Sequence, residues 1–156
     1  MALHLVKCPA ELPAGVVEIF DNSAIHERYF SDGRLNNIRP RAAAAGELYL
    51  ALDENDRPVG AMRVSMRGFC GLYPYLSLIG VHAESRGCGA GAFLMGELER
   101  LAKESGAKRV TLMVSDFNTG GIRFYERLGY WKLGELPDAA KQGITELVMV
   151  KDIKQD

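Results

Sequence analysis

The stretch that most constrains this chain is Arg86-Gly87-Cys88-Gly89-Ala90-Gly91-Ala92. It follows the apolar run Tyr75-Leu76-Ser77-Leu78-Ile79-Gly80-Val81 and precedes Leu94, Leu98, Leu101 and Ala102, which are spaced to share one helix face. An apolar run, a glycine turn and an amphipathic pattern predict a strand feeding a helix over 91–104. Gly106 ends that helix, and a second apolar run, Arg109–Ser115, follows it. A strand–helix–strand connection is a right-handed crossover, so the two strands are expected to lie parallel. The turn also has a chemical consequence. The first amides of a helix have no partner inside it, and the helix dipole favours negative charge there. Glycine lets a phosphate approach with no Cβ in the way. The residues therefore predict an anion site on the main chain of 86–92.

The flanking segments set this unit in a mixed sheet. Leu3–Cys8 reads as a strand. A first helix begins near Pro13 and runs through Val16, Val17, Ile19 and Phe20 toward His26. A second starts at Asn36–Pro40 and stops near Gly46. Glu47–Leu52 and Val59–Met66 flank the turn Asp53–Pro58 and form a hairpin. Gly68–Pro74 reads as a glycine- and aromatic-rich loop. Asn118 caps a short helix through Arg127, which Gly129 ends. Tyr130–Leu133 and Thr145–Lys151 are the last strands, linked by Leu136–Gly143. No repeat or interdomain linker interrupts the pattern. The expectation is a single α/β (α+β) domain over residues 1–156, antiparallel at first with a parallel pair in the middle.

Composition excludes several partners. A chain of 156 residues is the size of one domain. Its net charge of -1 gives no general attraction to nucleic acid or anionic lipid. No apolar run reaches the ~18 to 20 residues of a membrane span. The segment Met1–Lys7 lacks a basic stretch followed by a long apolar one, so no secretory signal is expected. Cys8, Cys70 and Cys88 share no metal-ligand spacing, and an odd count suits a reducing cytoplasm. These features predict a cytoplasmic protein with no metal, no nucleic-acid partner and no membrane partner.

Three phosphate ligands compete for the loop. A nucleoside-triphosphate loop ends in Gly-Lys-Ser/Thr, whereas this one reads Gly91-Ala92-Phe93, with no lysine for a phosphate. A dinucleotide fingerprint fits Gly87, Gly89 and Ala92 on letters alone. One parallel unit is visible instead of two, and Asp116 sits late for a ribose partner. In the third reading, Arg86-x-x-Gly89-x-Gly91 resembles the R/Q-x-x-G-x-G/A motif of the GNAT (GCN5-related N-acetyltransferase) superfamily. Asn118, Gly121 and Phe124-Tyr125-Glu126-Arg127-Leu128-Gly129-Tyr130 resemble the family's N-x-x-A-x-x-F-Y-E-K-L-G-F segment.

That resemblance implies a fold, a donor and a reaction. The fold would be a twisted, mostly antiparallel sheet of about six or seven strands, with a central splayed parallel pair and about four flanking helices. The donor would be acetyl-CoA. Its pantetheine would lie along the 75–81 strand, at Ile79 and Val81. Its diphosphate would sit on Arg86, Gly87, Cys88, Gly89, Ala90, Gly91 and Ala92, and Asn118 would contact it, directly or through water. Tyr125 would be the general acid that protonates the leaving thiolate. The acceptor would be a primary amine of a small molecule or a protein, taken by direct transfer. A homodimer is compatible with this reading. A non-catalytic acyl-CoA-binding module is the alternative.

One part of the chemistry is missing from the sequence. An alkylammonium of pKa about 10.4 must lose a proton before attack. Many family members carry a carboxylate on the strand equivalent to 75–81, where this chain has Ser77 and Leu78. Glu84, His82, Asp116, Glu135 and a water chain anchored at Ser77 all remain open as routes. The acceptor walls are expected at residues 20–40, with His26, Arg28, Tyr29 and Phe30, and at 134–144.

Overall fold

Alternation of apolar side chains along short strands builds one mixed sheet in the computed structural model, which describes residues 1–21 and 35–156. The strands are β1 (His4–Lys7), β2 (Leu48–Leu52), β3 (Pro58–Phe69), β4 (Tyr73–Val81), β5 (Arg109–Ser115), β6 (Trp131–Pro137) and β7 (Thr145–Asp152). The helices are α1 (Glu18–Asp21), α2 (Leu35–Ala44), α3 (Ala90–Glu104) and α4 (Thr119–Arg127), with a 3-10 turn at Ala83–Ser85. The strand order is β1-β2-β3-β4-β5-β7-β6. Pairing is antiparallel for β1 with β2, β2 with β3, β5 with β7 and β6 with β7, and parallel for β4 with β5. The parallel register joins Tyr75 to Thr111 and Leu76 to Leu112, and both strands run on past it.

The chain divides into two compact units. The first holds Met1–Val64 and Leu78–Leu98. Its core gathers Val16, Ile19, Phe20, Ala42, Ala43, Leu48, Leu50 and Ala61. Phe20 and Ile19 press onto Gly80, where a Cβ would stand 2.8 Å from a Phe20 ring carbon, so β4 needs glycine there. Leu94 and Leu98 of α3 are fully buried, as their spacing predicts. Each such side chain removed from water contributes about 1.5–3 kcal/mol.

The second unit holds Ser65–Ser77 and Glu99–Asp156. Along β5, Val110, Leu112 and Val114 share one face and stand opposite Lys151, Met149 and Leu147 of β7. Lys151 bonds Glu99 of α3 at 2.9 Å, and the Tyr130 hydroxyl donates to the same carboxylate at 3.3 Å. Thr111, Met113 and Ser115 occupy the opposite face, facing Val150, Val148 and Glu146.

Several boundaries differ from the sequence reading. Gly68–Pro74 is a hairpin, not a loop: β3 runs to Phe69, β4 starts at Tyr73, and the Leu72 amide donates to the Phe69 carbonyl at 2.9 Å. Cys70 and Gly71 both have positive φ, 54° and 70°, the geometry of a tight turn matched to strand twist. Cysteine at the first of these positions carries no turn signal, which hides the hairpin. β6 extends to Pro137, because it is the edge strand and a proline there breaks no ladder bond. The helix after Pro13 begins at Glu18, and α2 carries Pro40 inside it instead of near its start. α3 opens at Ala90, one residue earlier than read. The helical reading between Asp21 and His26 lies partly outside the described residues.

Candidate active site

The glycine loop belongs to the first unit. His82 ends β4, its amide donating to the Val59 carbonyl at 2.8 Å. Its ring Nδ1 accepts the Glu84 amide at 3.4 Å and caps the 3-10 turn. That ring nitrogen is engaged in local structure, which favours the cap over a basic role for His82. Arg86 closes the turn in an extended conformation, its amide 3.5 Å from the Ala83 carbonyl. Gly87 and Gly89 then take φ of 77° and 81°, where L side chains are strained. A Cβ at either would meet nothing within 4 Å. These glycines therefore serve main-chain conformation and leave the ground above the loop open.

Phe93 donates the first bond of α3, to the Gly89 carbonyl at 2.9 Å. The amides of Ala90, Gly91 and Ala92 precede that ladder and sit at the positive end of a 15-residue helix. Arg86, Gly87, Cys88, Gly89 and Ala92 are exposed and Gly91 half-buried, so solvent-borne anions reach the stretch. The Cys88 thiol lies 3.9 Å from the Arg86 carbonyl. Ile79 and Val81 are half-buried on β4. Main-chain donors at a helix start with small residues between them suit a diphosphate, each charge-assisted bond contributing about 1.5–3 kcal/mol. The residues present thus fit the phosphate end of a coenzyme A donor.

Asn118 and Tyr125 belong to the second unit. The Asn118 amide donates to the Ser115 carbonyl at 2.9 Å, so α4 springs directly from the end of β5. Its side-chain oxygen accepts the Gly121 amide at 3.0 Å, the expected cap. A Cβ on Gly121 would lie 2.5–3.0 Å from that side chain, so a larger residue there would make the Asn118 amide shift. Tyr125 is 7% exposed, edge-on to Phe124 and Tyr130 with ring centroids 5.2 and 5.9 Å away. Burial pushes its phenol well above the ordinary range. It therefore stays protonated through the neutral range.

The carboxylates weighed from the sequence lie at the surface. Glu84 and Asp116 are exposed, and Glu135 is exposed and paired with Lys132. The sequence reading missed Glu146, which is 5% exposed on β7 and accepts the Ser115 hydroxyl at 2.9 Å. A signal for it existed: Thr145-Glu-Leu-Val-Met-Val150 is an apolar strand with a charge at an inward position. Beside it Tyr75 of β4 has its phenol raised by burial and, second, by the Glu146 charge. His26, Arg28, Tyr29 and Phe30 lie outside the described residues. The 134–144 segment is β6 followed by a turn in which Asp138, at φ 56°, accepts the Gly143 amide at 2.6 Å. Among the described residues, no group of three His, Cys, Asp or Glu is arranged to hold a metal ion, and no helix is long and apolar enough to cross a membrane.

A mixed seven-stranded sheet with a central parallel pair, a glycine turn at the start of α3 and an asparagine-capped α4 define the class of acyl-CoA N-acyltransferase folds. The sequence model of the Acetyltransferase (GNAT) family matches residues 16–130, and the chain belongs to that family of N-acetyltransferases. It is 30% identical over 104 residues to the uncharacterized N-acetyltransferase YjcF of Bacillus subtilis (strain 168), covering 67% of this chain and 69% of that one. The structure of nourseothricin acetyltransferase is similar with a TM-score of 0.61 and 28% identity, covering 69% of this chain and 65% of that chain. An aminoglycoside 6′-N-acetyltransferase complexed with coenzyme A shares the fold at a TM-score of 0.74 and 18% identity, covering 98% of each chain.

Proposed function

We propose that this chain is a single N-acetyltransferase domain over residues 1–156 that moves an acetyl group from acetyl-CoA to a primary amine of a small molecule or a protein, in the cytoplasm. The observation that carries the reading is the main-chain turn at Gly87–Ala92, built by two positive-φ glycines at the start of a long helix. Family membership and the coenzyme A complex of a structural relative support the donor. The nourseothricin acetyltransferase relative supports an amine-bearing small molecule as one acceptor class.

Acetyl-CoA, when bound, supplies an activated thioester. The amides of 87–92 hold its diphosphate, with Arg86 and Cys88 in the same loop. Ile79 and Val81 line its pantetheine through the β4 main chain, and Asn118 contacts the donor while capping α4. Holding donor and amine together turns a bimolecular step into a local one. Tyr125, kept neutral by burial, gives its proton to the leaving sulfur.

The test is thiol release from acetyl-CoA on a panel of primary amines, with small polyamine and amino-sugar arms beside a lysine-bearing peptide. Amine-dependent release in either arm is expected, and the faster arm assigns the acceptor class. Coenzyme A binding with no amine-dependent release in any arm would contradict the transferase.

A further inference from the structure

We propose that Glu146 receives the acceptor: its carboxylate binds the substrate ammonium and takes the first of its protons. The inference rests on the N-acetyltransferase reading above and supplies the proton acceptor that reading lacks.

The placement follows from strand register. Ser115 and Glu146 are direct partners across β5 and β7, and their side chains are hydrogen-bonded at 2.9 Å, so both point to one face. Tyr75 pairs with Thr111, two pleats from Ser115 on that same face. The carboxylate's charge reaches the Tyr75 phenol. Ser77, next along the face on β4, is exposed, so the face opens to solvent there. Ser115 is the last residue of β5, and its carbonyl accepts the Asn118 amide. The carboxylate therefore stands at the strand end from which the Tyr125 helix starts. Ligands of sheets with parallel strands collect at such carboxyl ends.

Asp53 and Glu99 serve local structure instead. Asp53, buried as well, accepts two turn amides and the Arg57 guanidinium. Glu99 is taken by Lys151 and Tyr130. Glu146 occupies an inward position that apolar residues fill at Val148 and Val150 of the same strand. Burying a carboxylate there has a solvation cost that a valine would avoid. In return, a charge shielded from bulk water attracts an ammonium more strongly.

The step balances. The ammonium gives one proton to Glu146, and the neutral nitrogen forms the C–N bond to the acyl carbon as the C–S bond breaks. The sulfur gains a proton from Tyr125, and the nitrogen's second proton restores Tyr125. Glu146 returns the first proton to solvent. The products are an amide, a thiol and one released proton.

Two probes separate this role from a structural one. n-Butylamine is an ammonium at neutral pH, whereas hydroxylamine is already neutral and needs no deprotonation before attack. In Glu146→Gln, transfer to n-butylamine is expected to fall about 100-fold or more while transfer to hydroxylamine stays close to wild type. Glu146→Asp should recover part of the n-butylamine rate. Carboxyl-carbon NMR of the wild-type protein reads the contact without turnover: n-butylammonium should shift one glutamate resonance, the one absent from Glu146→Gln. Equal rates for the variant and wild type, a parallel loss with both nucleophiles, or an unmoved Glu146 resonance would overturn the proposal. Failure of the wild-type protein to bind coenzyme A would instead strike the donor assignment on which it rests.

Discussion

Tyr125 shows how one residue's surroundings select its chemistry. Its ring is packed by Phe124 and Tyr130, so burial disfavours the phenolate and keeps the proton on oxygen. Tyr125→Phe keeps the ring contacts and removes the hydroxyl that carries that proton. Turnover is expected to fall ten-fold or more, the usual contribution of a positioned acid, with the melting temperature little changed. Steady-state kinetics beside a thermal melt checks this, and an unchanged kcat would take Tyr125 out of the mechanism. The raised phenol adds a sign: the proton is present below the folded-state value and lost only above it. No alkaline loss of rate from Tyr125 is expected below about pH 10, the ordinary tyrosine range.

At the scale of elements, the loop and the β2–β3 turn make separate demands. Gly87→Ala and Gly89→Ala meet no steric block, so their cost is backbone strain of about 1–2 kcal/mol. They should raise KM for acetyl-CoA more than they change kcat. Gly96→Ala in the interior of α3 also has open space, with ordinary φ, and should stabilise by about 0.5–1 kcal/mol. A melt of the three variants beside KM measurements distinguishes strain from helix propensity. In the turn, Asp53 accepts the Arg57 and Asn55 amides and pairs with Arg57 at 2.9 Å. Bonds to the charged form, the Arg57 amide first, hold its carboxyl below the usual range. A depressed carboxylate adds stability that is present above the unfolded value near 3.9 and lost as pH falls through the folded value. Asp53→Ala should therefore melt lower than wild type at neutral pH, with the gap closing in melts taken below about pH 4.

Element by element, legibility followed the range of the interactions. β2, β5, β7 and α3 were readable because alternation and helical spacing are local. The Phe69–Leu72 turn was not, because Cys70 takes a left-handed conformation that its residue type does not advertise. The glycine turn before α3 was legible from the residues alone, whereas the roles proposed for Tyr125 and Asn118 rest on family resemblance. Glu146 stood out in the sequence only as a charge within an apolar strand; its neighbours Ser115 and Tyr75 lie 31 and 71 positions away, and only register joins them.

For the whole molecule, binding must appear as stability. A ligand that meets only the folded state at 100 times its dissociation constant adds about 2.7 kcal/mol, so coenzyme A should raise the melting temperature and NAD should not. The more direct measurement is amide NMR during titration with coenzyme A. Saturable shifts of the Gly87, Cys88, Gly89, Ala90, Gly91 and Ala92 amides are expected. Saturable shifts elsewhere, with those six unmoved, would contradict the account.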